Sequence, residues 1–338
     1  MFARINRATM AAVAAGLMTT FALAACGESG SSGTQAPPTN AANGAGCAPV
    51  AADQLVLLTD DKNLQSSDNI IAAVNKKAST PELLAAVDKV AAALDQPKLL
   101  ALNKAVDIDR KTPQQAAKEF ADANGLSAGA AAPGGKSVVV GAAGFGESQT
   151  LAELYKIALN AAGFKASVKQ STNREVYEPA LEKGQITVFP EYAATLSEFL
   201  NQKANGKDAK AVSSGDISAT VTALKPLADK AGLAVGTPSP ASDQNAFAVT
   251  KPVADQYQLK TLSDFAAKCS GPASKLAGPP ECPQRPFCQP GLQSTYNITF
   301  GEFVQADAGG PQTKTALKNG TATLGLVFSS DSSLTSAG

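Results

Sequence analysis

The sequence predicts an α/β protein built on a parallel sheet, and three observations carry that expectation. The stretch KSVVVGAAGFGESQTLAELYKIALNAAGF, Lys136 to Phe164, reads as a strand, a glycine-rich bend and an amphipathic helix. The alternation then repeats through FKASVKQS, NREVYEPALEKG and ITVFPEYAATLSEFL, and consecutive β-α units imply parallel strands with helices on the sheet faces. The 338 residues suffice for one two-lobed domain or two small domains.

Taken in order, the chain opens on MFARINR, with Arg4 and Arg7, followed by the apolar run ATMAAVAAGLMTTFA, too short to span a bilayer comfortably. LAAC then ends at Cys26. This resembles the lipobox of bacterial lipoproteins, which implies a signal peptide over 1–25, lipidation of Cys26 and anchoring to the outer face of the cytoplasmic membrane. An ordinary signal peptide with an incidental cysteine is the alternative. Residues 26–52 are Gly/Ser/Pro/Asn-rich and read as a flexible tether. DQLVLLTDDKN (53–63) reads as a short buried strand running into a turn. TPELLAAVDKVAAALD (80–95) is a helix with Thr80 as N-cap, Pro81 at its first position and Leu83, Leu84, Val87, Val90 and Ala91 at helical spacing. QPKLLALNKAVD and TPQQAAKEFADANG are further short helices, and 127–136 is a small-residue linker. After the β-α repeats come a helix, ISATVTALKPLADKAG, and a crossing to a new segment within LAVGTPSPASDQNAFAVTK. LSDFAAKC is a helix, and TKTALKNGTATLGLVFSSDSS is a helix and a final strand. GGKS at 134–137 precedes its strand instead of following it and is no phosphate loop, whereas GAAGFG suits a close backbone approach to a small polar solute at a helix N-terminus.

Composition narrows the chemistry. Twenty-nine basic residues balance 29 acidic ones, so no basic field points to nucleic acid. Histidine is absent, which removes His-activated nucleophiles and imidazole metal sites. Tryptophan is absent too, so an aromatic box must draw on five Tyr and 13 Phe. Apart from Cys26, the cysteines are Cys47, Cys269, Cys282 and Cys288, which allow three pairings in an oxidising compartment. The two prolines in PQRPF favour a tight Cys282–Cys288 loop, leaving Cys47–Cys269 by elimination. Free buried thiols are the alternative. No CxxC spacing suggests a metal.

VVVGAAGFGES…NREVYEPALEKGQITVFPEYAAT, with TPSPASDQNAFAVT, GPPECPQRPFCQPGLQSTYNITFGEF and ALKNGTATLGLVFSSD, resembles the substrate-binding proteins of ABC importers for quaternary-ammonium osmolytes, the glycine betaine, choline and carnitine binders of the OpuC/ProX type. The resemblance covers most of 53–338. It implies a type II periplasmic-binding fold with two lobes and a cleft, no enzymatic step and no cofactor. The implied role is that of a monomer that captures a small quaternary-ammonium solute and delivers it to a permease and its ATPase. The order differs from the family's. LVLLTDDKNLQSSDNI and the helices after it stand at the front, where the family places them after the FSSD-like segment. This looks like a circular permutation: 53–126 the C-terminal part of lobe 1, 127–136 the linker, 137–240 the N-terminal part of lobe 1, 241–328 lobe 2 and 329–338 a tail. An unrelated helical domain fused to a truncated binder is the alternative. A chain ending about ten residues past its second crossing implies a softened hinge.

Carried over position by position, the resemblance assigns Tyr192 and its partner Thr195 to the cage. Phe247 and Phe328 stand where the family has tyrosines, Asn245 is retained, Ser148 replaces a glutamine, and Glu175 stands at an Asp/Asn position. The fourth wall falls at Phe287, with Tyr296 as the alternative. Plain core packing competes for Phe247 and Phe328, and a solvated helix start competes for Glu175. Arg174 and Arg285 could each meet a ligand carboxylate or an ordinary salt-bridge partner. Another small polar solute, and an osmolyte sensor without transport, are the rival roles.

Overall fold

The computed structural model describes residues 44–129 and 135–336. The expected signal peptide, Cys26 and most of the tether lie outside them. The strands are β1 (Leu55–Leu58), β2 (Ile70–Asn75), β3 (Ser137–Ala142), β4 (Lys165–Gln170), β5 (Val188–Tyr192), β6 (Leu233–Val235), β7 (Asn245–Thr250), β8 (Gly271–Gly278), β9 (Phe300–Gln305), β10 (Leu324–Phe328) and β11 (Thr335–Ser336). They form two sheets, one ordered β4-β3-β5-β2-β6 and the other β11-β1-β7-β10-β8-β9.

The first sheet is mixed where the sequence implies an all-parallel one. β3 runs parallel to β4 and β5, but β2 lies antiparallel between β5 and β6. All six residues of β2 are buried because both faces are covered. Ile70, Ala72 and Val74 meet the helices α1 (Pro81–Ala93), α2 (Gln96–Asp107), α3 (Pro113–Ala123) and α4 (Gly146–Ala161). Ile71 and Ala73 meet α5 (Arg174–Glu182), α6 (Ala193–Asn205) and α7 (Ile217–Lys230). The early helices start where Thr-Pro pairs stand: Thr80 Oγ1 accepts from Leu83 N, and Thr112 forms a reciprocal capping box with Gln115. Gly141 in β3 allows the Phe189 ring to lie directly against the backbone, where a Cβ would collide with it.

The second sheet packs Val56, Leu58, Phe247, Val249 and Leu326 against α8 (Lys251–Tyr257), α9 (Leu262–Cys269) and α10 (Gln289–Tyr296). Its other face meets α11 (Pro311–Lys318) through Leu317.

Three boundaries differ from the expectation. β1 belongs to the second sheet, paired with β7, so the chain enters the first lobe only after residue 58. Residues 44–52 are no loose tether: Cys47 is fully buried and bonded to Cys269, its N–H donates to Ser274 Oγ (2.8 Å), and Ala52 N donates to Lys318 O (3.0 Å). Of the expected 329–338 tail, the described residues 329–336 return along the second lobe, with β11 beside β1. Both lobe crossings, 59–69 and 236–244, are therefore continuous and lie side by side, with Asn69 bridged to Ser242, Ile70 N donating to Ala241 O (3.1 Å) and Asp243 N donating to Asp68 O (3.1 Å). The described chain runs on past the crossings into the second lobe at both ends, which removes the ground for a softened hinge.

Candidate functional site

Between the lobes lies a cavity of ≈350 Å³ whose lining includes Asp68 and Asp243, one from each crossing. The size suits a small solute; ligand pockets run from roughly 300 to 1,000 Å³. The first lobe supplies Phe145 from the glycine bend, Tyr192 at the end of β5, and Arg174, Thr195 and Phe199. The second supplies Phe328 at the end of β10 and the Pro279–Cys288 loop, closed by the Cys282–Cys288 disulfide.

One wall is aromatic. The Phe145 ring lies 5.4 Å from that of Phe328 and 6.3 Å from that of Tyr192, centroid to centroid. The Tyr192 hydroxyl donates to Glu147 Oε1 at 2.6 Å, which fixes the ring and leaves its face free of polar demands. Glu147 also accepts from Asn103 Nδ2 (2.5 Å) and Ser330 Oγ (2.8 Å). Ser330 joins two acids, because its N–H donates to Asp243 Oδ1 at 3.0 Å. Burial pushes the carboxyl pKa values of Glu147 and Asp243 up, and the charges of Glu147 and Asp68 raise Asp243 further.

Asp68 caps α6: its Oδ1 accepts from Ala194 N (2.8 Å) and Thr195 N (3.0 Å). Burial outweighs those bonds and the nearby Arg174 charge, and the Asp68 pKa is raised to about 7.

The two arginines are already partnered. Arg174 forms a bidentate pair with the fully buried Glu191 (2.9 and 2.7 Å) and also donates to Thr195 Oγ1 (2.9 Å). Tyr177 OH gives Glu191 a further bond at 2.9 Å. Arg285 reaches across the lobes to Glu175 in a second bidentate pair (3.1 and 2.9 Å). Both guanidiniums sit 6.0 Å from the centre of the Phe199 ring.

Of the residues singled out from sequence, Tyr192, Thr195, Asn245, Phe328, Ser148 and Phe287 line the cavity together. Ser148 Oγ serves the bend by accepting from Ala143 N, and Asn245 Nδ2 and Gln65 Nε2 both hold the Phe287 carbonyl. Two residues stand elsewhere. Phe247 is 1% exposed and packs in the core of the second lobe, because its position in β7 faces α8–α10 rather than the cleft. Glu175 is absent from the cavity wall, held by Arg285; burial raises its carboxyl pKa, but the Arg285 charge and hydrogen bond, with its own backbone N–H and Arg174, together bring it below the ordinary value. Tyr296 is buried beside the first crossing, donating to Asp60 and accepting from Lys62 N. The cysteines pair as Cys47–Cys269 and Cys282–Cys288. Sequence reasoning missed Phe145, Asp68 and Asp243. A usable signal existed: SSD at 66–68, ASD at 241–243 and SSD at 329–331 recur at each place where the chain passes between or along the lobes.

A family model for the substrate-binding domain of ABC-type glycine betaine transport systems matches residues 48–123 and 136–337. Among solved structures, a glycine betaine/carnitine/choline ABC transporter protein is 17% identical, over 58% of this chain and 69% of that one, with a TM-score of 0.36. NikA from Brucella suis, solved with Fe(III)-EDTA, is 14% identical over 59% and 53%, TM-score 0.29. A putative peptide-binding protein AppA from Clostridium difficile is 12% identical over 59% and 48%, TM-score 0.30. The chain thus spans about half the length of the last two. No curated protein sequence matches. Among the described residues, no helix is long and apolar enough to cross a membrane.

Proposed function

We infer the role of the cleft from one premise: the chain belongs to the OpuAC family, the substrate-binding domains of ABC-type glycine betaine transport systems, and has their type II periplasmic-binding fold. Such proteins are the solute-binding, non-catalytic components of importers and work outside the cytoplasm. Our reading is that this one captures a quaternary-ammonium osmolyte (glycine betaine, choline or carnitine) and hands it to a membrane permease. It would act as a monomer held at the cell envelope by a lipid on Cys26.

The observation that carries the ligand class is the run of rings Phe145, Tyr192 and Phe328 lining the same cavity as the two buried acids Asp68 and Asp243. A trimethylammonium group has no N–H to donate. It is held by ring faces, at roughly 2 kcal/mol or more once desolvated, and by nearby negative charge. The circular permutation is supported by the register of β11 beside β1, Val56 opposite Thr335, which puts the two ends of the second lobe next to each other.

One observation favours a different small polar solute. Phe145 and Phe328 lie close enough to pack on each other, and Phe247 is withdrawn into the core, so the rings form a wall rather than a box. Isothermal titration of the purified protein with glycine betaine, choline and carnitine decides between them. Saturable binding that is lost in Tyr192→Ala supports the quaternary-ammonium reading. No heat with any of the three, from protein with native circular dichroism, refutes it.

A further inference from the structure

The charges around the cavity are not balanced. Asp68, Glu198, Asp243, Glu281 and Asp307 line it, against Arg174 and Arg285, and no lysine among the described residues does. Both guanidiniums already hold a carboxylate in a bidentate pair, Glu191 and Glu175, neither of which lines the cavity. Two of the acids are likewise committed. Glu198 accepts from Val212 N, Ser213 N and Ser213 Oγ, and Asp307 accepts from Gln312 N, Thr313 N and Thr313 Oγ1.

Asp68 and Asp243 differ from these. Each is only 4% exposed, and each directs all its side-chain hydrogen bonds through one oxygen, Oδ1. The second oxygen of each accepts none among the described residues, and both acids line the same cavity as Phe145, Tyr192 and Phe328. Neither second oxygen is sealed inside the protein, and a carboxylate in so buried a residue is costly to charge unless a cation reaches that oxygen. A solute carboxylate would meet the opposite situation: like charge in the lining, and no uncommitted cation to pair with.

Resting on the quaternary-ammonium reading above, we propose that this cleft selects a solute of net positive charge that carries no carboxylate, with Asp68 and Asp243 as the residues that set this preference over zwitterions. Within the three candidate osmolytes this separates choline from glycine betaine and carnitine. The acids sit on the two crossings, so a cation between them also ties the crossings together. Both acids have raised pKa values, and Asp243 faces Glu147 and Asp68 as well as the Ser329–Ser330 turn. A bound cation draws them to the charged form.

The test is competitive and direct calorimetry on the full chain with three probes at pH 8: choline, glycine betaine, and 3,3-dimethylbutan-1-ol, the uncharged carbon isostere of choline. The expected result is choline at least about tenfold tighter than glycine betaine, and the alcohol weaker than choline by about the same factor or more. Asp243→Asn is expected to bring the choline-to-betaine ratio toward one. Glycine betaine bound as tightly as choline, or tighter, overturns this proposal and leaves the quaternary-ammonium reading standing. The alcohol bound as well as choline overturns it too, by showing that charge is not read. Binding of neither choline nor glycine betaine removes both. Since the comparison of probes is made on the unmodified protein, the outcome does not depend on the variant folding.

Discussion

Asp68→Asn should make this protein more stable at pH 8 and leave it nearly unchanged at pH 4. The carboxyl has an ordinary pKa of 3.8 and is raised to about 7 in the folded chain. Between those values the folded state keeps a proton that the unfolded state loses. The associated stability is fully present below the unfolded pKa and is lost as pH rises through the folded one. About three pH units of difference correspond to a cost of about 4 kcal/mol above pH 7, as a ceiling, since each unit is worth 1.36 kcal/mol. Water entering an open cleft lowers that, and about 2 kcal/mol is the working expectation. Asparagine keeps a carbonyl oxygen for Ala194 N and Thr195 N and cannot ionise, so it removes the cost and retains the cap. The groups around it, Arg174, Glu191 and Asp243, are the same in both proteins, apart from the relief that Asp243 gains when Asp68 loses its charge. Urea unfolding followed by far-ultraviolet circular dichroism at pH 4, 6 and 8 measures the difference. If Asp68→Asn loses stability, and loses more at pH 8 than at pH 4, the carboxylate is an ordinary charged helix cap and the reasoning fails. Gain in stability with loss of choline affinity would be the signature of a residue kept for its site.

Three further outcomes follow from the placement of other residues. Phe247→Leu should lower the unfolding free energy by about 1 kcal/mol through imperfect repacking while leaving solute affinity within about twofold; a large loss of affinity with stability intact would return Phe247 to the site. Removing the Cys47–Cys269 bond by paired serine substitutions should cost about 5 kcal/mol on the chain-entropy estimate for a separation of 222 residues. The same change at Cys282–Cys288, six residues apart, should cost about 2, and thermal melts that rank them the other way would contradict the estimate. Arg285→Ala removes a half-exposed pair across the lobes, worth about 0.5–1 kcal/mol, so a bound solute should dissociate about two- to fivefold faster in stopped flow. An unchanged rate would mean that the pair is idle.

Local signals in the sequence carried much of this. Thr80 and Thr112 announce their helices by capping chemistry that needs no partner, and Tyr192 stands beside Glu191, whose four hydrogen bonds hold that turn in place. β2 escaped notice because IIAAVN is buried on both faces and so shows neither alternation nor a helical period. Phe145 was hidden by its glycine neighbours, which mark a backbone approach without saying that the side chain between them would form the wall. Asp68 and Asp243 sit in Ser/Asn/Gln-rich crossings that read as solvated loops. Only pairing of the crossings, through contacts some 170 residues apart in sequence, makes them buried. The family order placed 53–126 in the first lobe, and a four-residue strand proved to belong to the other.

Both described ends of the folded chain belong to the second lobe: residue 44 leads into the Cys47–Cys269 bond, and β11 runs along β1. A label, a surface or a pulling force attached at either end therefore reports on that lobe alone. The first lobe is a pendant whose covalent links to the second are the paired crossings alone, and its swing is invisible from those ends. Fluorophores meant to follow closure need one position on α5 and one in the 283–287 loop, where Glu175 and Arg285 meet. A load applied end to end would shear β1 from β11 before it moved the cleft.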